Sequence, residues 1–181
     1  MTEISGFPRT ETLKSGLAVT IRPLRTDDRE RIAVAVRNLD RESVYFRLFS
    51  YRGELTERGL DRIMAVDPAR EVVLVVTRSE GDAETVIGSG RLVESDAKNV
   101  ERTAEVAFLV DNRHHGQGIG GRLLKHLATI ARARGIVALE AEVLAENKPM
   151  LAVFVKSGLP MSKRRDGGVV HVSLALGSES P

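Results

Sequence analysis

Two spacings of apolar residues alternate along the chain: the short, near-continuous runs of strands and the three-to-four-residue recurrence of helices. LAVTIRPL (Leu17–Leu24) reads as a first strand, rich in β-branched and apolar residues. Asp27 or Asp28 is placed to cap a helix whose buried side is Ile32, Val34, Ala35, Val36 and Leu39. Residues 40–66 read as two further short helical pieces; Thr56 caps the second, which carries Leu60, Ile63 and Met64 as its apolar stripe. REVVLVVTR (Arg70–Arg78) is the unbroken apolar run of a strand covered on both faces. The turn EGDAE and the run TVIGSGRLVE (Thr85–Glu94) make an antiparallel hairpin with it. SDAKNVE is a polar loop before another strand, RTAEVAFLV (Arg102–Val110).

A long amphipathic helix follows, with Leu123, Leu124, Leu127, Ile130 and Ala131 at helical spacing and Gly135 placed to end it. VALEAEVL reads as a strand, NKPMLAVFVKSG as a short helix closed by Gly158, and GVVHVSLAL as a last strand. The order β-α-α-β-β-β-α-β-α-β predicts a single α/β domain on a mixed, mostly antiparallel sheet flanked by helices. Its expected extent is residues 17–176, with 1–16 a flexible leader and 177–181 a short tail.

Composition narrows the partners. The 181 residues suit one domain with a real core. A net charge of +2, from 27 Lys+Arg against 25 Asp+Glu with the signs interspersed, gives no reason to expect nucleic acid. Cysteine is absent, which removes disulfides, thiolate nucleophiles and cysteine-ligated metal. No apolar stretch approaches the ~20 residues of a membrane span, and the start lacks a signal-peptide run. The expectation is a cytoplasmic protein, monomer or homodimer, with no membrane partner. The four histidines lack metal-ligand spacing, so no metal is expected.

The segment DNRHHGQGIGGRLL (Asp111–Leu124) carries the chemistry. Strand, glycine-rich turn and helix start form an anion site, because the first helical N–H groups lack intrahelical partners and the helix dipole adds positive character there. Gly116, Gly118, Gly120 and Gly121 exceed what a turn needs, and glycine costs a helix about 1 kcal/mol per residue. Gly116, Gly118 and Gly121 also satisfy G-x-G-x-x-G, with Glu140 near the spacing of a ribose-binding acid. Against a dinucleotide fold, DNRHH separates Val110 from Gly116, and the preceding strand belongs to an antiparallel hairpin. A mononucleotide P-loop is excluded because no Gly-Lys-Ser/Thr occurs.

RHHGQG matches R/Q-x-x-G-x-G/A, and the chain resembles the GNAT superfamily of N-acetyltransferases in that pyrophosphate loop. VTIRPLRTDD is similar to the superfamily's first strand and helix start, AEVAFLV to its fourth strand, and ALEAEVLAENKPMLAVFVKSGL to its fifth strand and following helix. SVYFRLFS and EVLAENKPML resemble the acetyltransferase domain of bacterial Pat-type protein-lysine acetyltransferases. The resemblance runs from about Leu17 to Ala175. It implies a GNAT-like fold whose fourth and fifth strands splay apart, and acetyl-CoA as co-substrate. Amides of His115, Gly116, Gln117, Gly118, Ile119 and Gly120, opening the helix with Gly121, are then expected to hold the pyrophosphate. Arg113 occupies the motif's first position, main-chain groups of Phe108, Leu109 and Val110 pair with the pantetheine, and Asn147 either orients it or caps its own helix.

Acetyl transfer needs a neutral amine, and a lysine is only about 0.04% neutral at pH 7, equivalent to roughly 4.6 kcal/mol. A carboxylate removes that proton directly or through water. Glu105 interrupts an apolar strand, and the resemblance implies that it is the general base; Glu140 and Glu142 share one face of the next strand as alternatives. The superfamily's tyrosine, which protonates the leaving thiolate, has no counterpart in LAVFVKSG; the two tyrosines are Tyr45 and Tyr51. The expected function is an acetyl-CoA-dependent N-acetyltransferase with a protein lysine as favoured acceptor. Alternatives are a small-molecule amine acetyltransferase and a non-catalytic acyl-CoA-binding sensor.

Overall fold

A computed structural model describes residues 4–39, 56–96 and 101–177. The helical piece expected before Thr56, with Tyr45, Tyr51 and SVYFRLFS, lies outside them. The chain builds one eight-stranded sheet in the order β1-β2-β3-β4-β5-β6-β8-β7. The strands are β1 (Arg9–Thr12), β2 (Ala18–Pro23), β3 (Glu71–Glu80), β4 (Ala83–Glu94), β5 (Thr103–Val110), β6 (Ala138–Leu144), β7 (Met161–Asp166) and β8 (Val169–Ala175). Every neighbouring pair is antiparallel except β5 and β6. The mixed, mostly antiparallel sheet expected from the sequence is therefore observed, with two strands added.

Those two strands correct the sequence reading. Part of the expected flexible leader is β1, paired with β2 from Arg9↔Ile21 to Thr12↔Ala18, and Leu13 beyond it is buried at 3% exposure. β7 is an outer strand whose residues are exposed after Met161. RTET and MSKRRD lack an apolar alternation because each lies at a sheet edge, where ladder hydrogen bonds rather than core burial hold the strand.

Alternation of side chains sorts the sheet into two faces. On one face Ile21, Leu74, Ile87, Leu92, Ala104, Val106, Phe108, Leu139, Ala141 and Leu174 join the main core. Helix α3 (Ile119–Ala133) covers them through Leu123, Leu124, Leu127, Ala128 and Ala131, and α4 (Lys148–Lys156) adds Phe154. α3 sits close to the sheet because β4 is bare beneath it: a Cβ on Gly88 would stand 2.8 Å from Ile119 Cγ2. On the other face α1 (Arg29–Arg37) and α2 (Glu57–Met64) bury Ile32, Ala33 and Leu60 over Val75 and Val86. Thr56 caps α2 as expected, its Oγ1 accepting from Gly59 N–H at 3.0 Å. No helix among the described residues is long and apolar enough to cross a membrane.

Asp28 precedes α1 but does not cap it through its side chain. Its carboxylate instead takes two bonds from the buried Arg22 guanidinium, at 2.7 and 2.8 Å, and one from Arg25 N–H at 2.8 Å. Burial pushes the Asp28 pKa up, but the bonds from Arg22 and Arg25 N–H and the Arg22 and Arg31 charges outweigh it, and the net shift is downward. Side-chain exposure is 2% for Arg22 and 0% for Asp28, so the pair stands where an uncompensated charge is costly. Arg22→Met should lower unfolding free energy by about 3 kcal/mol, the low end for a broken buried pair, because Arg31 remains 3.2 Å from Asp28. The pair stabilises above the ordinary carboxylate range and is lost as pH falls through the lowered pKa, so the gap between variant and wild type should narrow in acid. Urea unfolding across pH checks both; a constant gap would contradict the role given to Asp28.

Candidate functional site

β5 and β6 run parallel and pair only through Thr103↔Ala138, Ala104↔Leu139 and Glu105↔Glu140. Past that rung β5 continues to Val110, held by β4 alone through Gly88↔Val110, while β6 turns to β8. The two strands splay, as expected for the strands there counted fourth and fifth; β1 shifts the count by one. Between Val106 and Val110 the far edge of β5 has no strand partner among the described residues. Main-chain groups of Phe108 and Leu109 thus line a cleft in the sheet. The Val110 carbonyl differs from that expectation, because it already bonds His115 Nε2 at 2.9 Å.

The cleft leads to the glycine loop. Asp111 N–H donates to Ile87 O at 2.9 Å, and a short 3-10 turn over Asn112–His114 precedes the loop. Gly116 and Gly118 have φ of 75° and 88°, and Gly118 is the N-cap of α3. Only glycine adopts this left-handed backbone without strain, and it turns successive N–H groups outward. Among the described residues the amides of Gly116, Gln117 and Gly118 donate to no protein group, and those of Ile119, Gly120 and Gly121 lie in the first helical turn, where no intrahelical acceptor exists. These six amides form a candidate anion cradle; the His115 amide expected with them instead donates to Asn112 O at 3.3 Å. Gly120 has a second reason that the sequence did not show: a Cβ there would stand 3.3 Å from Val153 Cγ2 on α4.

The side chains expected around this loop divide. Arg113 reaches back to Asp111, with Nη2 2.8 Å from Oδ2 and Nε 3.1 Å from Oδ1. Asp111 also accepts Arg113 N–H at 2.9 Å. Bonds from the Arg113 guanidinium outweigh burial and hold Asp111 at a pKa of about 2, while the Arg113 pKa is raised. His114 is buried at 6% exposure and its Nδ1 has no hydrogen-bond partner. Asn147 Oδ1 accepts from Met150 N–H at 3.2 Å, so its side chain caps α4. Sequence reasoning missed Ser15, whose Oγ donates to Gln117 Oε1 at 2.7 Å across 102 positions of chain, a separation that leaves no local signal.

Carboxylates gather at the mouth of the cleft. Glu105 faces Glu140 across the last parallel rung, and Glu142 follows on the same face, opposite the α3 side. Glu140 Oε1 accepts from Ser173 Oγ at 2.8 Å, and Glu142 lies 3.1 Å from His171 Nδ1. Glu105 is half-buried and already engaged with neighbouring groups. Among the described residues no group of three or more His, Asp or Glu is arranged to hold a metal ion. A cleft edged by free main chain, an anion cradle at one end and acids at the other suits an extended phosphorylated thioester meeting an amine.

Comparison with known proteins bears on this geometry. The model of the acetyltransferase (GNAT) family matches residues 34–159. An acetyltransferase of Pseudomonas aeruginosa is 28% identical over 147 residues, covering 81% of this chain and 77% of that protein. The acetyltransferase Pat of Mycolicibacterium smegmatis is 32% identical over 158 residues, 87% of this chain and 46% of its own length, so the chain spans just under half of that relative. The crystal structure of the GNAT domain of S. lividans PAT superposes with a TM-score of 0.82 at 29% identity, covering 96% of this chain and 99% of the other.

Asp111 provides a direct check on the loop. Carbon-detected NMR titration should find its carboxyl at about 2, and Arg113→Met should raise it toward the ordinary 3.8. Because the folded pKa is lowered, its contribution to stability is present above the ordinary range and fades as pH falls toward about 2. Arg113→Met should flatten that part of the stability profile; an Asp111 titrating near 4 in the folded wild-type chain would exclude the pairing.

Proposed function

The chain belongs to the GNAT family of acetyltransferases, and from that premise we propose that it moves an acetyl group from acetyl-CoA to a primary amine, with a protein lysine as acceptor and Glu105 as general base. The single observation that carries the co-substrate is the parting of β5 and β6 beside six outward-facing amides. An extended pantetheine fits the unpaired edge of β5 at Phe108 and Leu109, and a diphosphate suits the cradle of Gly116 to Gly120. Acetyl-CoA supplies an activated thioester carbonyl.

The residues of the chain then divide the remaining work. Glu105 sits on the last rung before the strands part, on the face away from α3. A carboxylate there takes the proton from an incoming ammonium, directly or through one water. The neutral nitrogen forms the new C–N bond as the C–S bond breaks, and the nitrogen's second proton passes to the departing thiolate or to water. α4 presents Phe154 and Val155 and no tyrosine, so the superfamily's usual proton donor to the sulfur has no counterpart on that helix. With a thiol pKa of about 8.5, unaided departure is tolerable near neutral pH. Glu140 and Glu142 add negative charge where a cationic amine arrives, which raises its local concentration. The acceptor reading leans on the likeness to Pat and to the PAT GNAT domain.

Gly118→Ala should weaken acetyl-CoA binding by at least about tenfold in calorimetry, since an alanine at φ 88° is strained and its Cβ would stand 2.7 Å from Arg122 Nη1. Unchanged affinity in a folded variant would remove the loop from the reading. Glu105→Gln should lower turnover about 10²–10⁴-fold at pH 7, with little change in acetyl-CoA affinity and a smaller defect at high pH, where more amine is neutral. A near-normal rate would move the base to Glu140 or Glu142. Thiol release measured over lysine-bearing proteins and small amines tests the acceptor: turnover confined to small amines would refute the lysine assignment, and binding without turnover would refute catalysis.

A further inference from the structure

The tip of the β1–β2 hairpin forms a second wall of the glycine loop, and nothing in the acetyl-transfer reading uses it. Leu13 N–H donates to Leu17 O at 2.8 Å and closes the tip, with Leu13 itself in the core. The tip is docked on the loop by Ser15 Oγ to Gln117 Oε1 at 2.7 Å and by Lys14 N–H to Gln117 O at 3.4 Å. Behind it, Arg122 Nη2 on α3 donates to Thr12 O at 2.6 Å. Glu11 on β1 holds Arg122 Nε at 3.0 Å and His126 Nε2 at 2.5 Å. These contacts fix the backbone of Lys14 against the start of α3.

Three cations border the loop, and their charges are used differently. Arg113 is neutralised by Asp111, and Arg122 by Glu11. Lys14 is exposed and makes no ion pair or side-chain hydrogen bond among the described residues. Its Cε lies 3.7 Å from the place a Cβ would take on Gly118, the N-cap residue of α3. The ammonium is one bond beyond that Cε, and the neighbouring amides of Gly116, Gln117 and Gly118 donate to no protein group. An anion on those amides has Lys14 close by as a positive charge that no carboxylate among the described residues balances.

We propose that Lys14 is a phosphate-contacting residue: its ammonium pairs with a phosphoryl oxygen of the CoA seated on the Gly116–Gly120 amides, which makes the N-terminal hairpin part of the co-substrate site. The inference rests on the acetyl-CoA reading above. Two phosphate sites of CoA offer the same chemistry, the pyrophosphate and the 3′-phosphate. Calorimetry on the full chain should therefore compare acetyl-CoA with acetyl-dephospho-CoA, for wild type, Lys14→Met, Lys14→Arg and Gly118→Ala.

Lys14→Met should weaken acetyl-CoA about tenfold, the effect of one charge-assisted hydrogen bond. Its melting temperature should match wild type, its affinity should fall less steeply with added salt, and Lys14→Arg should restore most of the loss. An equal loss for both ligands assigns the pyrophosphate, and a loss confined to acetyl-CoA assigns the 3′-phosphate. Lys14→Met within about twofold of wild type, with Gly118→Ala impaired, overturns the role of Lys14 and leaves the loop standing. If neither variant loses affinity, the acetyl-CoA reading falls instead. A loss in Lys14→Met that follows a lowered melting temperature and is not rescued by arginine makes Lys14 structural and overturns the proposal.

Discussion

β5 and β6 hold each other over three parallel rungs, from Thr103 against Ala138 to Glu105 against Glu140, and then separate. Main-chain N–H and C=O groups are obligatory hydrogen-bonding groups, so an unpaired strand edge inside a sheet is a site for something that pairs like a strand. The same parting releases the end of β5 to run into the glycine loop and α3. It also leaves Glu105 and Glu140 at the fork, on the face away from α3. Cleft, anion cradle and acids are three consequences of one interruption in the ladder.

The interruption is tolerated because the strands on either side are secured elsewhere. β4 pairs β5 along seven positions, from Gly88↔Val110 to Glu94↔Ala104, and β8 pairs β6 along its length. α3 bridges the two halves, burying Leu123, Leu124 and Leu127 in the core that also takes Val106 and Leu139. Its close seat depends on Gly88 and Gly90, where a Cβ would meet Ile119 and Leu127. On the opposite face the buried Arg22–Asp28 pair ties β2 to the start of α1.

Charge is distributed around the loop with some economy. Asp111 and Glu11 each engage a nearby arginine, so Arg113 and Arg122 serve to shape the backbone, one before the loop and one behind it. The positive character left for a ligand comes from amides, the α3 dipole and Lys14. A site built this way depends on backbone conformation, and a positive φ at Gly118 therefore matters more than the identity of many neighbouring side chains.

Periodicity and motif made much of this legible in one dimension. The alternation in TAEVAFLV set Glu105 apart from the core-facing Ala104, Val106 and Phe108. The crowded glycines marked the anion cradle, and Thr56 and Asn147 announced the caps they form. These are local properties, fixed by spacing along a strand or by the first turn of a helix. What stayed hidden depends on neighbours far along the chain. β1 and β7 carry no apolar pattern, because ladder bonds to β2 and β8 hold them at the sheet edges. Gly120 reads as part of a ligand loop until Val153 is seen against it. Arg113 reads as a free cation until Asp111 folds back upon it, and Lys14 reads as leader until Gln117 docks its hairpin beside Gly118. Local spacing determined which groups this chain carries at its site, whereas long-range packing decided which of them remain unpaired, because only the folded chain brings a charge to its partner.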